Sequence, residues 1–137
     1  MNLHDLLSHL VSIPSSYPNE EKVGRYIEAL LKDMDFKINL QRVGNKRFNI
    51  LAEKGNGPAL LLFGHLDTVE KKSGWRTNPY ILTEKGDRLY GLGAWDMKAG
   101  VAAVLSSVKN FTNKNRSIKM AFVVDEENVS LGMHTLI

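Results

Sequence analysis

Ala59-Leu60-Leu61-Leu62-Phe63 runs directly into Gly64-His65-Leu66-Asp67-Thr68, and Ile118-Lys119-Met120-Ala121-Phe122-Val123-Val124 runs directly into Asp125-Glu126-Glu127. Each apolar run is short and nearly continuous, as in strands covered on both faces. Between them, from Met97 to Phe111, a small-residue helix is expected. Its Ala99, Val101, Ala102, Val104, Leu105 and Val108 can pack closely on a sheet. Buried strands alternating with helices predict an α/β fold, a three-layer α/β/α sandwich around a mostly parallel central sheet.

Working outward, Leu3, Leu6, Leu7, Leu10 and Val11 recur at helical spacing up to Pro14. A second helix is expected after Asn19, read as its N-cap, with Val23, Tyr26, Ile27, Leu30, Leu31 and Met34 as the apolar stripe. Both stripes are read as core. Phe36 to Arg42 alternates as a half-buried strand does, and Phe48 to Ala52 comes next after a turn near Gly44-Asn45. Gly86-Asp87 separates two short segments between Tyr80 and Tyr90 and predicts a hairpin. The polar stretch Asn110 to Arg116 reads as a solvated loop, and no repeat or low-complexity segment is present.

The 137 residues suffice for one domain core. Lys and Arg exceed Asp and Glu by 18 to 15, and no basic run is interleaved with aromatics, so nucleic acid is not an expected partner. Without cysteine, disulfides and thiolate metal sites are excluded. Any metal would rest on His and carboxylates, a donor set suited to zinc, with cobalt or manganese as alternatives. No apolar stretch approaches the roughly 18 residues of a membrane span. The amino terminus has neither the charge nor the apolar run of a signal peptide, which points to the cytoplasm.

The chemistry lies just beyond the end of each strand. Ligand sites of open α/β sheets lie outside the carboxyl ends of the strands. If the two strands are parallel, His65 and the acidic trio emerge on one edge, and Asp96, opening the intervening helix, can join them. Taken singly, each has an ordinary reading: a capped or surface histidine, an Asp96 N-cap, a solvated acidic turn. Together they place an imidazole among carboxylates that repel one another unless a cation offsets them. Asp67 is placed to orient the imidazole from behind. Glu126 and Glu127 point in different directions, so one can ligate a metal while the other faces its water as general base. Gly91-Leu92-Gly93 matches neither the dinucleotide fingerprint nor a P-loop.

These residues resemble the dinuclear zinc peptidases and amidohydrolases, the family of acetylornithine deacetylase, succinyl-diaminopimelate desuccinylase, aminoacylase and glutamate carboxypeptidase. Gly64-His65-Leu66-Asp67-Thr68-Val69 looks like its first motif, Gly91-Leu92-Gly93-Ala94-Trp95-Asp96-Met97-Lys98-Ala99-Gly100 its second, and Asp125-Glu126-Glu127 its third. Trp75 and Pro79 sit where the family often has a similar pair. The resemblance covers essentially the whole chain and implies a zinc-peptidase-like fold with two divalent metal ions. His65 would bind one metal with Asp67 orienting it, and Asp96 would bridge both, often with a cis peptide just after it. Glu127 would bind the second metal, and Glu126 would be the general acid/base.

Glu70 replaces the usual Pro of the first motif, and Leu92 and Ala99 replace the usual Arg and Gly of the second. None of these is a metal ligand. Family members also draw on a later carboxylate, a distal His and a second, smaller domain that commonly dimerises. Residues 1–137 are therefore expected to be the amino-terminal portion of the catalytic domain, without the second domain, and the full-length form to be a homodimer. His134 reads as a helix residue. In such a fragment the Ile118–Val124 strand would lack neighbours, leaving an apolar edge prone to association. The implied activity is metal-dependent hydrolysis of an amide in an N-acyl amino acid or diamino acid, the alternative being a di- or tripeptidase or carboxypeptidase acting on short peptides. A reading from a different class is a chain that binds metal, or packs against a partner, without catalysis.

Overall fold

The computed structural model describes residues 2–112 and 115–137, so Asn113 and Lys114 of the expected loop lie outside the described residues. The elements are α1 (Leu3–Ser12), α2 (Glu21–Asp33), β1 (Lys37–Gly44), β2 (Arg47–Gly55), β3 (Ala59–His65), β4 (Thr83–Lys85), β5 (Arg88–Tyr90), α3 (Ala99–Val108), β6 (Ser117–Val123) and α4 (Leu131–Leu136). The Asn2 side chain caps α1 by accepting from the Asp5 N–H at 2.8 Å. Asn19, in contrast, does not cap α2. Glu20 holds that position, and the Asn19 N–H closes a turn onto the Ser16 carbonyl. Glu20 makes no side-chain cap, because its carboxylate is drawn to Arg47.

The main sheet has the order β1-β2-β6-β3. The fold is α/β, but the sheet is mixed rather than mostly parallel. β1–β2 and β2–β6 are antiparallel, and only β3–β6 is parallel. The reason is connection length. A two-residue turn at Asn45-Lys46 can join only antiparallel neighbours, whereas β3 reaches β6 by a long crossover through α3. The expected hairpin forms separately as β4 and β5, turning at Gly86-Asp87.

One sheet face carries Phe48, Ile50, Ala52, Ile118, Met120, Phe122 and Val124 and packs on α1, α2 and α3 through Leu10, Val11, Val23, Ile27, Leu31, Val101, Ala102 and Leu105. The helical stripes read from the sequence are thus core, except that Leu3 at the start of α1 is exposed and Tyr26, Leu30 and Met34 are only partly buried. The other face is thinly covered, by α4 across β1 and β2. β3 therefore departs from its expected two-sided burial: Leu60, Leu61 and Phe63 are 58%, 62% and 38% exposed. Among the described residues the outer strands are β1 and β3, and β6 is interior, flanked on both sides. The expected unpaired Ile118–Val124 edge is corrected accordingly. Among the described residues, no helix is long and apolar enough to cross a membrane.

Asn49 ties the sheet to α4. Fully buried on β2, it accepts from the Val124 N–H at 3.2 Å and donates to the Gly132 carbonyl at 2.8 Å. Gly132 has no alternative at this approach, since a Cβ there would collide with the Val124 carbonyl oxygen. Asn49→Ala strands two buried backbone groups and is expected to lower stability by about 2–4 kcal/mol. Urea titration checks this, with exposed Asn39→Ala as a control expected within about 0.5 kcal/mol of the parent.

Candidate metal centre

The parallel pair brings the motifs together. His65 ends β3 in register with Val123 at the end of β6, so the two strands deliver Gly64-His65 and Asp125-Glu126-Glu127 to one sheet edge. Asp96 arrives from a widened turn, residues 94–98, that precedes α3 and has non-helical backbone at Asp96 and Met97. The Asp96–Met97 peptide is cis, in keeping with the resemblance. Gly93 enters this turn at φ +71°, where a Cβ would collide with Thr68 Cγ2, so the first and second motifs are in contact.

One donor atom each from His65, Asp96 and Glu127 lie within 4.8 Å of one another. The His65 Nε2 is 3.0 Å from Asp96 Oδ1 and 3.9 Å from a Glu126 carboxylate oxygen. His65 is 5% exposed at its side chain, whereas Asp96 and Glu126 are 66% and 47% exposed. This is a buried imidazole at the floor of an open carboxylate cluster. Its other nitrogen, Nδ1, is 3.0 Å from the Asp67 carbonyl oxygen and 3.6 Å from the Asp67 carboxylate. A carbonyl only accepts, so Nδ1 carries a proton and Nε2 is the nitrogen turned to the cluster. Asp67 also accepts from the Glu127 N–H at 2.9 Å through Oδ2, linking the first motif to the third.

Burial opposes charge on His65, yet the Asp67 and Asp96 carboxylates outweigh it and push its pKa up to about 9. The Glu127 carboxyl is raised by desolvation and by its neighbours Asp96 and Glu126. Burial acts against the Asp67 carboxylate, but contacts with His65 and the Glu127 N–H hold it below the usual range. The donor set therefore fits a divalent cation, being one imidazole and carboxylates crowded beyond what that imidazole offsets.

The sequence reading missed the support beneath Glu126 and Glu127. Asp125 sits at φ +71°, buried, with its carboxylate accepting from Arg47 at 2.8 Å and from the Leu131 N–H at 3.0 Å. Arg47 also grips Glu20 through the Nε and Nη2 edge of its guanidinium and stacks over the Tyr17 ring at 4.5 Å. Burial disfavours the Arg47 charge, but the Glu20 and Asp125 hydrogen bonds raise its pKa. Burial likewise opposes the Asp125 charge, and the Leu131 N–H and Arg47 overcome it. Lys98, 4% exposed, donates to the Ile13 carbonyl at 2.8 Å, and desolvation lowers its pKa to about 8. Beside a tight turn, Arg47 has no local signal to mark it as buried.

A family model described as peptidase family M20/M25/M40 matches residues 61–137, more than half of the chain and all three motifs. The chain belongs to this family. A succinyl-diaminopimelate desuccinylase of Nautilia profundicola is 35% identical over 127 residues, covering 93% of this chain and 34% of that protein. An acetylornithine deacetylase of Aliivibrio salmonicida is 35% identical over 130 residues, covering 91% and 34%. The crystal structure of human carnosine dipeptidase 1 superposes with a TM-score of 0.88 at 26% identity, covering 98% of this chain and 34% of that one. The chain thus spans about a third of the length of the relatives it matches. In this M20 chain, His65, Asp96 and Glu127 stand at one edge of the sheet with Glu126 beside them.

Without metal, the His65 imidazole should titrate near 9 by NMR. Because its folded value exceeds the unfolded ~6.5, its stabilising contribution is complete below about 6.5 and lost as pH rises toward 9. Thermal midpoints of the parent and His65→Gln should therefore converge over that window, and parallel curves would contradict the assignment. Separately, Arg47→Met leaves Glu20 and Asp125 buried without their cation and should cost about 3–5 kcal/mol by urea titration.

Proposed function

We propose that these residues serve hydrolysis of an amide bond in an N-acyl amino acid or N-acyl diamino acid, in the whole protein to which this region contributes. The observation that carries the reading is the approach of His65, Asp96 and Glu127 donors to within 4.8 Å of one another, with the Glu126 carboxylate 3.9 Å from His65 Nε2. Desuccinylase and deacetylase relatives, both deacylases by name, support the substrate class. His65 would hold one divalent cation, Glu127 a second, and Asp96 both; zinc suits these donors, with cobalt or manganese as alternatives. Such cations, when bound, polarise a carbonyl and acidify water.

The residues of the chain supply the rest. Asp67 holds the His65 ring through its carbonyl and the Glu127 backbone through its carboxylate. Glu126, not one of the three clustered donors and half-exposed, stands free to take a proton from water and return it to the leaving amine. The likeness to carnosine dipeptidase 1 keeps peptide hydrolysis as the second reading. That the whole protein works as a homodimer rests on the family resemblance.

The test titrates the chain with zinc or cobalt and assays N-succinyl and N-acetyl amino acids and dipeptides. It uses the chain alone and joined to the downstream region of a desuccinylase relative. Glu126→Gln is expected to keep metal binding while turnover falls roughly 10²–10⁴-fold. His65→Ala or Glu127→Ala should weaken metal binding itself. Full turnover by Glu126→Gln would refute its role, and metal binding without turnover in either form would favour a non-catalytic metal-binding chain.

A further inference from the structure

The Leu66 N–H donates to the Val123 carbonyl of β6 at 2.8 Å. Successive N–H groups of a strand point to opposite sides, so the His65 N–H points away from β6. Among the described residues β3 is an outer strand of the four-stranded sheet, and none of their strands lies on that side to receive it. The acceptor is instead the thioether of Met97, whose Sδ lies 3.2 Å from the His65 nitrogen. Met97 is the residue directly after Asp96, so the side chain that takes the His65 N–H is covalently next to a second candidate ligand.

The fit around this sulfur is close. A Cβ on Gly64 would lie 3.2 Å from Met97 Cε and 3.4 Å from its Sδ, and one on Gly100 would lie 3.0 Å from Cε. The glycine before His65 and the glycine in the first turn of α3 thus leave room for one unbranched thioether between them. A methionine here is ordinarily a flexible gap-filler with a weak acceptor. What sets Met97 apart is its contact, the backbone N–H that points away from β6 on the residue whose ring faces the carboxylate cluster.

We propose that Met97 is a positioning residue: its thioether fixes the backbone of His65 against that of Asp96, setting the approach of Nε2 to Oδ1 before any cation arrives. The inference rests on the proposed metal site for its consequence, but the contact itself is tested without metal. Supporting contacts of this kind typically alter metal affinity about 10-fold or more when removed.

The experiment compares the parent chain with Met97→Leu, which keeps the volume without the acceptor, and Met97→Gln, which offers an amide oxygen at similar reach. Amide hydrogen exchange of metal-free protein reads the His65 N–H against the Leu66 N–H, which bonds β6 and serves as an internal reference. In Met97→Leu the ratio of His65 to Leu66 protection should fall about 10-fold, with Met97→Gln restoring much of it. Cobalt titration, monitored by its visible absorption, should show Met97→Leu binding about 10-fold more weakly. An unchanged ratio overturns the inference, whether or not the variant is globally less stable. So does a lowered ratio with unchanged cobalt affinity, which would leave Met97 a local hydrogen-bond partner without influence on the site. Failure of the parent chain to bind cobalt refutes the metal reading and, with it, the pre-arrangement for a cation, while the exchange ratio still decides whether the thioether holds His65.

Discussion

The parallel pairing of β3 with β6 is the constraint on which the rest of the molecule depends. Registers in a sheet are discrete, and a slip of one residue turns every side chain to the opposite face. With His65 opposite Val123, Phe122 and Val124 face the helices and the Asp125–Glu127 segment begins two residues beyond the position opposite the end of β3. A slipped register would move Phe122 out of the core, so burial of the largest fully buried side chain also fixes where the acidic loop emerges. Core packing and site geometry are here one requirement.

The acidic edge is assembled against its own repulsion. Asp125, Glu126 and Glu127 are consecutive, and Asp67 and Asp96 converge on the same place. The structure divides them by partner. Asp125 is withdrawn into the interior by Arg47 and the Leu131 N–H, and Asp67 is occupied by the Glu127 N–H. Asp96, Glu126 and Glu127 are left more exposed around one imidazole. The left-handed backbone at Asp125, tolerable for Asp and held by its hydrogen bonds, separates the buried carboxylate from the two open ones. The charge left unoffset faces outward, where a cation can reach it.

Legibility in the sequence obeys a physical rule. The stripes of α1 and α2 are legible because burial on one face imposes a period. His65, Asp96, Glu126 and Glu127 are legible because they come directly after apolar runs or open a helix, and parallel delivery is a condition the structure meets. Sheet order is not, since β2 inserts beside β6 through pairings between residues about 70 apart, for example Ile50 with Phe122. Periodicity carries no such information. Asn49 looks like a solvent-facing residue between Phe48 and Ile50, and only α4 behind the sheet makes it buried. Arg47 looks like a turn cation. Both partners of its ion pairs, Glu20 and Asp125, are brought to it by tertiary packing alone.

The clustered donors come from three segments, yet their backbones are not independent. The Asp67 carbonyl meets the His65 ring, the Asp67 carboxylate takes the Glu127 N–H, and the Met97 thioether takes the His65 N–H. Each of the three donor residues is thus joined to another by a contact that needs no ion. Loose donors would have to be ordered when a ligand binds, at about 0.5–1.5 kcal/mol for each immobilised side chain. Here folding orders the His65 ring and the backbones of His65 and Glu127, and leaves the exposed Asp96 and Glu127 side chains to be ordered on binding. Folding also crowds the carboxylates, so the arrangement stores repulsion that a cation would relieve. The contacts that join the three segments run through the His65 and Glu127 backbone N–H groups and the His65 ring, so a change in the exposed Glu126 or Asp96 side chains would leave them in place.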